Sequence, residues 1–256
     1  MSTNRLFSAV ALLCLLSFPV QAAGIISLSD AFTDDASTGI STDNIYMHAI
    51  SGGQAVAVNG VNFSLLNPTT TPANFNWAVA SGIKNQIPSN NGDWMPATGG
   101  VTGPGIQSLL NGFAYNSGAG AAEAGGSQTY TLSGLTPGQR YDTRLYIRTW
   151  DTDGVRDIDF TFTNGTDVDT LLELIEDQPE QEGFPSVHSA YYLSYEFIAQ
   201  GTDLVIDAAV GSDSGTTGSF HLYGLSNQVV VPEPASLALW SILGLGLVGF
   251  GWMRRR

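Results

Sequence analysis

The chain has 256 residues, with 23 acidic against nine basic side chains and a formal charge of −14 at pH 7. Between Gly24 and Val231 the imbalance is steeper, 22 acidic residues against Lys84, Arg140, Arg144, Arg148 and Arg156, which excludes partners that need a basic surface, such as nucleic acid and anionic lipid. The only cysteine is Cys14, so no disulfide can staple the body, and about 200 residues must rely on burying roughly 70 % of their unfolded surface.

Met1 to Arg5 is a short head with one positive charge, and Leu6 to Val20 is almost wholly apolar. Val20-Gln21-Ala22 then places small residues at the third and first positions before Ala23. Head, apolar core and small-x-small site are the three parts of a secretory signal, and the core falls short of the about 20 residues that a spanning helix needs. Residues 1–22 are therefore expected to leave with signal peptidase, by cleavage after Ala22. Leu13 before Cys14, in place of a small residue, argues against a lipoprotein signal.

The body, expected to fold as a single domain over residues 24–228, shows almost no helical periodicity. Ala55 to Val58, Asn59-Gly60 and Val61 to Leu65 read as two strands around a type I′ turn. Further strands are expected at Phe75 to Ala80, Gln128 to Leu132, Tyr141 to Trp150, Ile158 to Thr163, Val187 to Ile198, Leu204 to Val210 and Ser219 to Leu225. Gly-rich runs such as Gly134 to Gly138 and Gly211 to Gly218 punctuate them. Asn85 to Gly126 reads as loop, with one helical turn at Ile106 to Asn111. The acidic run from Asp167 to Glu182 reads as a solvated loop. Eight or nine short strands with such turns make an all-β protein, a single β-sandwich.

The alternation assigns faces. Ile158, Phe160 and Phe162 point inward. On Tyr141 to Trp150, Leu145 and Ile147 share one face, and Arg144, Tyr146, Arg148 and Trp150 share the other. That second face is more polar than a core needs, and it is expected to be an exposed ligand-binding face, with Tyr146 and Trp150 open to solvent. Next to it, Asp151, Asp153 and Asp157 surround Gly154. Oxygen ligands on a sharp loop suit Ca²⁺; a plain β-turn with Asp favoured for its hydrogen bonds is the competing explanation. His48, His188 and His221 lack metal spacing, and His221 is expected to be a partly exposed structural residue. Without a base positioned beside a nucleophile, no catalytic residue is assigned.

Leu132-Ser-Gly-Leu-Thr-Pro-Gly-Gln-Arg-Tyr141 resembles a recurrent feature of Ig-like and galactose-binding-like sandwiches. Gly218-Ser-Phe-His-Leu-Tyr-Gly-Leu225 resembles the last strand of galactose-binding-like modules of bacterial surface proteins. The resemblance implies a jelly-roll or galactose-binding-like body and, by fold analogy, carbohydrate binding.

At the far end, Val231-Pro232-Glu233-Pro234 precedes nineteen uncharged residues, Ala235 to Met253, and then Arg254, Arg255 and Arg256. Nineteen residues give about 28 Å of helix against a hydrocarbon core of about 30 Å, and the arginines hold the C-terminus inside. Residues 229–256 resemble the PEP-CTERM sorting tail, also catalogued as the C-terminal domain of certain ice-binding proteins. The resemblance implies an exosortase as partner, recognition at Pro232, Glu233 and Pro234, removal of the helix and arginines, and a cell-surface or extracellular destination among exopolysaccharide. The function expected is a sorted, non-catalytic module associated with exopolysaccharide. The alternatives are a polysaccharide-acting enzyme, for which carboxylates are plentiful, and an ice-binding protein, for which threonine arrays look too sparse.

Overall fold

The computed structural model describes residues 23–89, 101–148, 156–175, 190–211 and 218–231. The secretory segment, the Pro-Glu-Pro motif at 232–234, the apolar stretch 235–253, the arginines 254–256, and Trp150, Asp151, Asp153 and His188 lie outside the described residues.

Two sheets face each other. The larger has seven strands: β1 (Ile25–Leu28), β2 (Ile45–Ser51), β3 (Val56–Val58), β4 (Val61–Leu65), β9 (Arg140–Arg148), β12 (Ala190–Ile198) and β14 (Gly224–Val229), in the order β1-β12-β9-β14-β2-β4-β3. The smaller has five: β5 (Phe75–Val79), β8 (Ser127–Ser133), β10 (Asp157–Asn164), β11 (Asp167–Ile175) and β13 (Asp203–Val210), in the order β11-β10-β13-β8-β5. A separate ribbon pairs β6 (Ile83–Ile87) with β7 (Phe113–Ser117). Apart from the parallel β2–β4 pair, the ladders are antiparallel.

The inner faces supply the main core. Tyr141, Leu145 and Ile147 of β9 and Leu193, Tyr195 and Phe197 of β12 meet Phe160 and Phe162 of β10 and Leu204 and Ile206 of β13. Phe162 stacks on Tyr195 with centroids 4.4 Å apart. Burying each such ring contributes roughly 1.5–3 kcal/mol by area removed from water. The expected β-sandwich is thus the architecture of the body.

The larger sheet is covered on its outer face as well, which no periodicity announces. Helix α1 (Pro104–Leu110), the β3–β4 hairpin and the segment around Phe32 lie over it. Phe32, Val58, Phe63, Ile106, Leu109, Leu110, Phe113, Tyr146 and Tyr223 form this second apolar cluster. The Asp35 carboxylate fixes the helix by accepting the backbone N–H groups of Gly105 at 3.1 Å and Ile106 at 2.7 Å, a cap from a distant segment. The β3–β4 turn is type I′ as expected: Asn59 and Gly60 take φ of 47° and 81°.

Three expectations are corrected. Asp167 to Ile175, expected as loop, is an edge strand, because Val168 to Leu174 pair with β10 and Leu174 reaches the core. β6 and β7 occupy part of the stretch expected as loop from Asn85. The last strand begins at Gly224 rather than Ser219, because Ser219 to Tyr223 cross between the layers: Phe220 and Leu222 enter the main core, Tyr223 the second.

Candidate functional site

At the end of the sandwich where β10 and β14 begin lies a cleft of about 340 Å³. The β6–β7 ribbon supplies Phe113, Tyr115, Asn116 and Ser117, and the segments entering β10 and β14 supply Arg156, Ser219 and His221. Antiparallel pairing of β7 with β6 aligns Asn85 with Tyr115, and the Asn85 amide donates to the Tyr115 hydroxyl at 3.0 Å, which orients that ring.

Behind the aromatic wall runs a buried polar chain. The His221 ring stacks on Phe113 with centroids 3.9 Å apart. Arg156 Nη1 donates to His221 Nε2 at 3.1 Å and to the Ser219 carbonyl at 2.8 Å. Since the guanidinium can only donate, Nε2 is the acceptor, so the ring proton sits on Nδ1, 3.2 Å from the Tyr223 hydroxyl. Arg148 then stacks over the Tyr223 ring at 5.0 Å and donates through Nε to the Leu110 carbonyl at 2.8 Å. Burial first, then the charges of Arg156 and Arg148, hold His221 well below the ordinary histidine range. The ring is neutral at physiological pH, with both nitrogens engaged. It is a rigid backing for Phe113 rather than a proton shuttle.

The expected ligand face has a different place. Tyr146 is wholly buried, with edge contacts to Phe32, Phe63 and Tyr192 and its hydroxyl 3.2 Å from Ser226 Oγ. Arg148 is wholly buried too, and Arg144 is largely covered, paired at 2.8 Å with Asp142 and stacked over Tyr192 at 4.5 Å. The expectation that this face opens to solvent is therefore corrected for its described members: the second layer covers Arg144, Tyr146 and Arg148, and Trp150 lies outside the described residues. Its polarity answers internal needs. Asp142 accepts from Ser194 at 2.6 Å, Arg144 at 2.8 Å and Gln228 at 3.1 Å, so the buried carboxylate is satisfied.

Asp157, the one described member of the expected Ca²⁺ set, is buried at the start of β10, and its carbonyl accepts the Gly211 amide at 2.9 Å. Among the described residues no three His, Cys, Asp or Glu side chains form a group able to hold a metal ion. His221 is buried rather than partly exposed. Sequence reasoning missed Tyr115 and Ser117, whose stretch reads as loop, and Arg156, which stands just ahead of an alternating strand and meets Ser219 and His221 only through the fold. The tyrosine followed by two polar residues, Tyr115-Asn116-Ser117, was the available signal.

Residues 230–256 match the PEP-CTERM protein-sorting motif. That match marks the chain as exported and sorted to the surface through an exosortase. No curated protein matches the chain. Among solved structures, the extracellular domain of ANXUR1 from Arabidopsis thaliana is similar at 12 % identity and a TM-score of 0.45, over 73 % of this chain and 49 % of that one. The chain thus spans about half the length of that ectodomain. A promiscuous carbohydrate-binding module of the β-sandwich superfamily is similar at 12 % identity and a TM-score of 0.19, over 75 % of this chain and 99 % of that one.

Proposed function

We propose that this exported, exosortase-sorted protein is a non-catalytic module that holds exopolysaccharide carbohydrate in the cleft at Tyr115. The carrying observation is that one cleft of about 340 Å³ joins the part-exposed Tyr115 ring, backed by the buried Phe113, to hydrogen-bonding groups (Ser117, Arg156). A ring face suits the apolar side of a pyranose, and polar groups at its edge suit the hydroxyls. The volume lies at the low end for small-molecule sites, which fits a short stretch of glycan rather than a long threaded chain. Glycoside hydrolysis uses two carboxylates flanking the bond, and none of the described lining residues is acidic, which favours binding over hydrolysis.

In this reading Ala235 to Met253 hold the protein as a membrane-anchored intermediate until the exosortase acts at Pro232, Glu233 and Pro234. A weak Ca²⁺ site at Asp151, Asp153 and Asp157 belongs to the same proposal. A thermal melt raised by millimolar Ca²⁺, and not raised in Asp153→Ala, supports it.

One observation favours a second reading, ice binding. Pairing across the smaller sheet puts Thr129 and Thr131 of β8 and Thr161 and Thr163 of β10 on either side of Val205 and Asp207, all on the outer face. The sheet gathers threonines that are far apart in the chain. Asp207 interrupts the array and binds Thr129 at 2.8 Å. Thermal hysteresis in a freezing assay, lost in Thr161→Lys, supports this reading against the first.

Affinity electrophoresis of the secreted form, in gels carrying exopolysaccharide from the producing cells, tests the main proposal. Retarded wild type and freely running Tyr115→Ala are expected. Reducing ends released by the wild type would replace binding by a polysaccharide-acting enzyme. Equal mobility with and without polysaccharide would remove both.

A further inference from the structure

The two ends of the sandwich differ in what they carry. β14 is an inner strand of the larger sheet, where Val229 lies opposite Tyr141 on one side and Ile45 on the other, and the Val230 amide still donates to the Arg140 carbonyl at 2.9 Å. β1 reaches the same level: Ile25 lies opposite Glu196, Glu196 opposite Asp142, and Asp142 opposite Gln228. The described chain therefore enters and leaves at one end of the sandwich. The cleft is at the other, since Arg156 precedes β10, and Ser219 and His221 precede β14. The nine residues of β9 separate the two ends, about 30 Å at strand rise.

The strap to the apolar segment is short. Only Pro232, Glu233 and Pro234 separate Val231 from Ala235, at most about 14 Å of extended chain. Because Val229 and Val230 are held in an inner strand, little slack comes from the body. Three apolar side chains stand exposed at this same rim, Ile25 at 56 %, Ile45 at 58 % and Val231 at 63 %. The rim also carries Asp43, Asp167, Glu196 and Asp203 against Arg140, so it has no charge attraction for anionic headgroups. The strap, rather than surface affinity, holds it there.

We propose that the form still joined to its tail stands end-on, with the Ile25–Ile45–Val231 rim against the bilayer surface and the cleft facing away from it. This rests on the reading of Ala235 to Met253 as a membrane span. The geometry has a direct consequence: the anchored form displays its cleft outward, away from the bilayer.

The test uses the tail-bearing chain in vesicles of phosphatidylethanolamine and phosphatidylglycerol containing a nitroxide-labelled lipid. The body has no cysteine of its own, so Ile45→Cys, Val231→Cys and Ala124→Cys, the last beside the cleft, each carry one fluorophore. Loss of fluorescence at positions 45 and 231 and none at 124 is expected. Equal quenching at all three, or stronger quenching at 124, overturns the end-on arrangement while leaving anchoring intact. A chain that fails to float with the vesicles overturns anchoring itself, and the proposal with it.

Discussion

The Tyr195 hydroxyl donates to Asp169 Oδ2 at 2.7 Å, and the same oxygen accepts the Gly24 amide at 3.1 Å. Tyr195 lies on β12 of the larger sheet and Asp169 on β11 of the smaller, so one carboxylate oxygen ties both sheets to the segment that leads into β1. Burial, with Asp169 beside it, raises the Tyr195 phenol above the ordinary tyrosine range, so the donor keeps its proton throughout the working range. A side chain at Gly24 would collide with the Tyr195 ring.

Tyr195→Phe removes the donor and leaves Asp169 with the Gly24 amide alone. A loss of about 1 kcal/mol is expected in urea unfolding, and more in Asp169→Ala, which orphans both donors. Hydrogen exchange should also speed up in β1 before other strands. Unchanged exchange there would mean that the clasp adds nothing to the closure of the edge.

Two buried histidines set the acid limit. Burial depresses His48, opposed by hydrogen bonds to the backbone of Asn74 and Ser133, and burial with Arg156 and Arg148 depresses His221 further. A depressed histidine takes up a proton more readily in the unfolded chain. Its contribution is therefore complete above about pH 6.5 and is lost as pH falls below that value, by up to about 1.4 kcal/mol per pH unit per histidine. Denaturation between about pH 7.5 and 5 should show falling stability, with a shallower slope in His221→Gln. An identical slope in wild type and variant would mean that His221 titrates normally in the fold.

Gly52 marks the point where β2 runs against the crossing segment before β14. Its amide donates to the Tyr223 carbonyl at 2.9 Å, and a Cβ there would collide with the Leu222 carbonyl, a backbone atom that cannot swing aside. Gly52→Ala should cost several kcal/mol, as forced overpacking of a rigid site does. Gly138→Ala has open space around it and should cost only the strain of a positive φ, about 1 kcal/mol. Comparable melting temperatures for the two variants would contradict the packing argument.

What the chain reveals in advance depends on what each signal reports. Alternation is a local property, so the strands at Phe75, Gln128, Ile158 and Leu204, each with one core face, were legible, as was the Asn59-Gly60 turn. Alternation also gave the two faces of β9 correctly, with Leu145 and Ile147 in the main core. It could not tell that Tyr146 and Arg148 meet a second layer instead of water, because that layer comes from Phe32, Phe63 and Leu109, far away in sequence. The acidic β11 was hidden by its composition: Leu171 and Leu174 suffice toward the core, and Asp169, on the same side of the strand, is accommodated there by the Tyr195 hydroxyl and the Gly24 amide. The cleft was hidden for the same long-range reason, since Tyr115 and His221 come together only through the crossing segment that pairs Ala114 with Leu222. Histidine burial has no local signature at all.

Processing of the tail is open to direct measurement. Intact-mass analysis of the surface form should show a chain that begins at Ala23 and has lost Ala235 to Arg256. Recovery of chains ending in Arg256 from the cell surface would limit the motif to anchoring without processing.

Hydrogen exchange of the secreted form, with and without exopolysaccharide, tests the central claim most directly, because it locates the ligand without presuming a residue. Protection confined to peptides covering 113–118 and 218–221 is the predicted result. Protection of 127–133 and 157–164 with those peptides unchanged would put the ligand on the threonine face and contradict the cleft.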